Sequence, residues 1–156
     1  MRWLSTLAAL LLATGCASLS GGGNEGVDAV HVFGLPVTIN MDTKPGPDGF
    51  AVRVFVTKNG GAKGTVISNG SIEILMFDGA MKLEDLAAQQ PKESWKFNAK
   101  QLAAMREQTS LGNAYRFTLR WTEPPTHGHV TVLARYVPQK GEPIYSSPSS
   151  INSVIK

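Results

Sequence analysis

From Val27 onward, apolar and polar residues alternate in short runs set between clusters of Gly, Pro, Asn and Asp. In residues 51–57, Val52, Val54 and Val56 share one side, and Arg53, Phe55 and Thr57 share the other. Residues 71–77 set Ile72, Ile74 and Met76 against Glu73, Leu75 and Phe77. Residues 114–122 group Tyr115, Phe117, Leu119 and Trp121 opposite Arg116, Thr118, Arg120 and Thr122. Residues 129–137 bring Val130, Val132, Ala134 and Tyr136 together. Successive side chains of a strand point to opposite faces, so each run predicts a half-buried strand. Val30, Val32, Val37 and Ile39 mark an earlier extended stretch, broken at Gly34 and Pro36. Further strands are predicted at 144–147 and 151–155. Runs buried on both faces, as in parallel sheets, are not expected.

One helix interrupts the strands. Asn98 followed by Gln101 is a capping-box pair, and the helix is predicted from Ala99 to about Gln108, with Leu102 and Met105 facing a sheet. A second, weaker helical turn is placed at Leu83 to Ala88. Short antiparallel strands, one helix and no internal repeat predict an all-β fold, a two-sheet antiparallel sandwich with one short helical crossover. Val132, Ala134 and Tyr136, followed by Gly141, Tyr145 and Ser146-Ser147-Pro148, resemble the closing hairpin of an immunoglobulin-like or fibronectin type III domain. The resemblance implies an immunoglobulin-like sandwich, although the cysteine and tryptophan spacing of antibody domains is missing.

The first residues have a different pattern. Arg2 precedes an apolar run from Leu4 to Ala13, interrupted only by Ser5 and Thr6. A membrane span needs about 20 apolar residues, so this shorter run is taken as an export signal over residues 1–15. It ends in Ala13-Thr14-Gly15-Cys16, which resembles the lipobox of bacterial lipoproteins, with Ala13 where Leu is usual. That resemblance implies cleavage before Cys16 and lipid on its sulfur. Each buried methylene then contributes about 0.8 kcal/mol to membrane binding. Ala17 and Ser18 place no Asp after the cysteine, which by resemblance implies the outer membrane. Residues 16–26, with Gly21-Gly22-Gly23 at their centre, form a lipidated tether whose ten residues after the cysteine reach roughly 16–19 Å. Residues 27–156 form the expected sandwich domain, and as a whole they are similar to exported bacterial lipoproteins, a likeness that implies no particular activity.

Composition narrows the chemistry. Of 15 basic residues the signal carries one, so 14 face 12 acidic ones in the mature chain, a formal charge of +2. That near-balance lacks the clustered basic stripe of a nucleic-acid binder, and no nucleic acid is expected as partner. With 42% hydrophobic and 17% charged residues, the chain has enough apolar side chains for a core. Cys16 is the only cysteine. Once acylated it leaves no thiol for a disulfide, a nucleophile, a thiolate metal site or an iron–sulfur cluster.

Several clusters carry candidate chemistry. His127 and His129, two apart on an extended chain, can aim both rings one way, and His31 would complete a zinc or copper site if the fold brought it near. The plainer interpretation is a pair of exposed turn histidines after Pro124-Pro125. Asp42, Asp48 and Asp78 fall at one pole if their strands are successive and antiparallel, and oxygen-rich loops there suit calcium, as in C2-like domains. Asp48-Gly49 and Asp78-Gly79 are also ordinary turn signals. Tyr115 and Trp121 lie on an apolar face and belong to the core, whereas Trp95 and Tyr145 are expected to be exposed and available to stack on glycan. Arg53, Glu73, Arg116, Arg120 and Arg135 at alternate strand positions predict a solvent-facing charge ladder in which Glu73 bridges two arginines. The glycine loop 59–64 lacks the Gly-Lys-Ser/Thr ending of a phosphate loop. No serine sits in a nucleophile elbow, and no carboxylate pair announces acid–base work. The expectation is therefore a non-catalytic binding or assembly module, membrane-tethered in the bacterial envelope, with no cofactor and an envelope protein or glycan as partner. A metal-binding envelope protein and a glycan-binding accessory domain are the alternatives.

Overall fold

The structure is a computed structural model that describes residues 26–86 and 88–153. The expected signal segment, Cys16 and the tether up to residue 25 lie outside the described residues, as do residues 154–156. Among the described residues, nine strands build two antiparallel sheets. The first sheet orders β1 (Val27–Gly34), β2 (Gly49–Lys58), β6 (Gly112–Arg120) and β5 (Arg106–Thr109) as β1-β2-β6-β5. The second orders β4 (Glu93–Asn98), β3 (Ser71–Asp78), β7 (His129–Val137) and β8 (Ile144–Tyr145), with β9 (Ser149–Asn152) also paired to β7. The fold is the all-β sandwich that the alternation predicts. No helix among the described residues is long and apolar enough to cross a membrane.

The core lies between the sheets. Val52, Val54 and Val56 of β2 and Tyr115, Phe117 and Leu119 of β6 meet Ile72, Ile74 and Met76 of β3 and Val130, Val132, Ala134 and Tyr136 of β7. Tyr115 is fully buried, and its hydroxyl accepts from the Ile67 amide at 2.7 Å, so the polar tip is satisfied in the interior. After Leu35, whose amide still donates to the Ala51 carbonyl of β2 at 3.0 Å, the chain turns toward the second sheet. The Asn152 amide donates to the Pro36 carbonyl and the Thr38 amide to the Asn152 carbonyl, each at 3.0 Å, which ties residues 36–38 to the edge of the second sheet beside β9.

The crossover helix α2 (Ala99–Met105) carries the chain from β4 in one sheet to β5 in the other. The capping box is formed: Asn98 Oδ1 accepts from the Gln101 amide at 3.0 Å, and Gln101 Oε1 accepts from the Asn98 amide at 2.9 Å. Leu102 is fully buried and Met105 packs on the core. The helix stops at Met105 rather than near Gln108, because Arg106 turns extended and residues 106–109 pair with β6. Tertiary pairing thus overrides helix propensity in its last turn. Asn98→Ala should cost about 1 kcal/mol, visible as a lower urea midpoint with an unchanged slope.

Gly112 opens β6 at φ +95°, and an added Cβ would lie 2.5 Å from the Gly64 carbonyl oxygen. Only glycine permits both that backbone angle and that approach. The loop after β2 turns on Asn59 and Gly60, both at positive φ, with the Gly61 amide donating to the Lys58 carbonyl.

Candidate functional site: a strapped groove on the outer sheet face

The β3–β4 connection is the structural oddity of the fold. These strands are direct antiparallel neighbours, with Met76 opposite Glu93, and a hairpin of two to five residues normally joins such a pair. Here residues 79–92 intervene and run back as a strap over the outside of the second sheet. Its entry is fixed where the Gly79 amide donates to the His129 carbonyl at 2.8 Å and the Met81 amide to Thr131 Oγ1 at 3.0 Å. Its exit is fixed where the Lys92 amide donates to the Met76 carbonyl at 2.8 Å. Between these ends lies one helical turn, α1 (Leu83–Leu86). Leu86 is buried against Leu75, Phe77 and Leu133, with Met81 alongside.

That apolar cluster sits on the sheet face that a simple sandwich leaves polar. Leu75 and Phe77 alternate with the core-facing Ile74 and Met76, and Leu133 lies between core-facing Val132 and Ala134. The expectation that no run is buried on both faces is therefore corrected: β3 and β7 are buried on both where the strap crosses them, and β2 also buries Ala51, Phe55 and Thr57 on its outer face. A groove of about 700 Å³ runs between strap and sheet. Leu75, Phe77 and Leu133 form its floor, and Leu83 and Leu86 its roof. Its size and apolar lining match those of small-ligand sites.

One end of the groove is polar. Tyr145 stands opposite Arg135 across β7 and β8, and both line the groove. Nε and Nη2 of Arg135 reach Oε2 of Glu73, Nε at 2.6 Å, while Nη1 donates to the Tyr145 hydroxyl at 2.9 Å. Lys96 Nζ approaches the other oxygen of Glu73 at 3.2 Å. Partial burial pushes the Glu73 carboxyl upward, but the hydrogen bonds and charges of Arg135 and Lys96 outweigh it and hold the group below its ordinary value. For Arg135, burial works against the charged form, and the contacts with Tyr145 and Glu73 outweigh it to raise the pKa. The guanidinium stays charged and is held in position.

Comparison with known proteins returns no match to a family model, a curated protein or a solved structure.

The residues singled out from sequence are distributed differently from expectation. Tyr145 is 49% exposed, as expected. Trp95 is not: it faces the inter-sheet core, edge-on to Phe50 at 5.6 Å, so it does not join Tyr145 in a stacking platform. Its pairing opposite the core residue Ile74 in β4, a strand the alternation of Trp95 and Phe97 with Ser94 and Lys96 would have revealed, turns it inward. The predicted charge ladder is split between the sheets. Arg53 pairs with Glu107, Arg120 Nη2 lies 2.9 Å from Asp48, and Glu73 bridges Arg135 and Lys96 rather than two arginines.

Each aspartate is engaged locally. Asp42 Oδ1 accepts from the Lys44 amide at 2.8 Å, and Asp48 Oδ1 accepts from the Met41 amide at 2.6 Å. Asp78 accepts from the Thr126 amide and hydroxyl and from the His127 amide, at 2.8 to 3.0 Å. His127 Nδ1 lies 3.1 Å from Asp78, His129 opens β7, and His31 sits on β1 of the other sheet. Among the described residues, no three His, Cys, Asp or Glu side chains gather closely enough to hold a metal ion. A second apolar patch lies outside the first sheet, where Phe33 meets Phe55 edge-on at 5.7 Å beside Leu35. Phe55 is itself buried, with Ala62 and Gly64 of the neighbouring loop alongside, and the cavities there are smaller, about 230 and 190 Å³.

Proposed function

We propose that this protein is a non-catalytic binding module, tethered in the bacterial envelope through lipid on Cys16, whose strapped groove holds a small ligand with an apolar body. The observation that carries the groove half of the proposal is the 14-residue strap where a short hairpin suffices, roofing an apolar floor of Leu75, Phe77 and Leu133. A connection that long between adjacent antiparallel strands is uncommon in a compact domain. The lipobox resemblance supports the tether.

Two experiments test the two halves. Cells fed labelled palmitate should label the protein, and Cys16→Ala should abolish the label; a labelled Cys16→Ala variant would remove the tether. For the groove, the full chain in non-ionic detergent is melted with and without octanol. A ligand at 100 times its Kd adds about 2.7 kcal/mol of stability, a rise of several degrees for a domain this size. Leu83 is 56% exposed and lines the roof, so Leu83→Glu should leave the unliganded melt intact and cancel the rise. An equal rise in both proteins would place octanol elsewhere. A rise with a neutral oligosaccharide instead, lost in Tyr145→Ala, would transfer the function to glycan recognition.

A further inference from the structure

We infer that the groove selects an anionic amphiphile, a single apolar chain ending in a carboxylate, with the carboxylate bound by Arg135 and Tyr145. This rests on the groove being a ligand site and adds what decides its choice.

Arg135 is the one charged side chain among the described residues that line the groove. Glu84 and Asp85 belong to α1, but the groove is lined from that turn by Leu83 and Leu86. A guanidinium carries five N–H donors. Glu73 engages Nε and one hydrogen of Nη2, and Tyr145 engages one hydrogen of Nη1. One hydrogen on each Nη is left, and charged guanidinium N–H donors suit a carboxylate. Because the Tyr145 hydroxyl accepts from Arg135, its own hydrogen is directed elsewhere, and no acceptor for it stands among the described residues. Arg135 and Tyr145 thus both offer donors to a ligand, with Gln89, Gln90 and Ser94 as the other polar residues of the lining.

The local charge favours an anion as well. Glu73 is shared between Arg135 and Lys96, so two cations surround one carboxylate and the cluster keeps a net charge of +1. Glu73 also immobilises the guanidinium before any ligand arrives, which lowers the ordering cost of binding. An alcohol would use the same floor and gain only part of the donor set. An ammonium would meet donors and a like charge.

The test titrates the full chain, in the same non-ionic detergent, with octanoate, octanol and octylammonium, reading Kd from the thermal shift. Octanoate should bind at least tenfold more tightly than octanol, and octylammonium most weakly. Arg135→Gln should erase the preference while octanol still binds. Tyr145→Phe, at an exposed position, should narrow it without disturbing the fold. Equal affinity for octanoate and octanol, both cancelled by Leu83→Glu, would overturn the anion selection and leave the groove as a ligand site. Tightest binding by octylammonium would overturn it too. No shift with any of the three would overturn both.

Discussion

Replacing Phe50 with alanine is expected to destabilise the domain by about 3–5 kcal/mol and to lower Tm by more than about 10 °C. Phe50 is fully buried on β2, opposite Leu119 of β6. Its ring meets Trp95 edge-on at 5.6 Å and stacks at 6.4 Å against Trp121. It therefore joins the two sheets: Trp95 comes from β4 of the second, and Trp121 follows β6 of the first. Truncation removes the transfer energy of the ring and leaves a cavity that two indoles on separate sheets cannot readily close. With Cys16 the only cysteine, residues 17–156 contain no disulfide to limit the loss. Urea unfolding measures the cost, and tryptophan emission in the folded state should change because both indoles lose a neighbour. A cost below about 1 kcal/mol would mean that the Phe50 contacts do not join the sheets.

Alternation revealed the sheets because it reports burial on one face, and β2, β3, β6 and β7 each have a continuous core-facing set. It failed where a strand is buried twice. Ile74-Leu75-Met76-Phe77 is an unbroken apolar run, and Leu133 fills the position between Val132 and Ala134. Those two interruptions were the available signal for a second apolar layer, and hence for the groove. The strap itself left little trace, since Leu83 and Leu86 present only one turn of helical spacing. Glu73 lies on the face of β3 away from the core, as alternation predicts, but its side chain is only 13% exposed, and its partners depend on register: Arg135 and Lys96 lie opposite it on different neighbours, 62 residues on in one case. Trp95 was misplaced for a related reason. Its strand is an edge with exposed Ser94, Lys96 and Asn98 between the inward residues, so the local text is polar although the indole is not. The Asn98 capping box, by contrast, is a contact between residues three apart and was fully legible.

Asp78→Ala is expected to cost about 2 kcal/mol at pH 7 and almost nothing near pH 2. The carboxyl is 16% exposed. Partial burial alone would raise its pKa, but the hydrogen bonds from Thr126 and His127 outweigh that and bring it from 3.8 to about 2. A folded pKa below the unfolded one means that the ionised form stabilises the fold. The contribution is complete above about pH 5, shrinks as pH falls through the unfolded value, and is gone once pH is below the folded value. Urea unfolding of both proteins at pH 7, 4 and 2.5 should therefore show a converging difference, and Asp78→Asn should behave as the wild type does at low pH. A difference that stays constant across this range would assign the cost to shape and not to charge. The position gives the prediction a functional reach. Asp78 ends β3 just where the strap departs, its oxygens hold the 126–127 loop, and Lys92 at the strap's exit lies 3.8 Å away. One carboxylate thus secures the end of the sheet from which the roof of the groove is hung. Octanol binding in Asp78→Ala should weaken at pH 7 even where the domain remains folded, because the strap's two ends lose their common anchor while the floor of Leu75, Phe77 and Leu133 is unchanged.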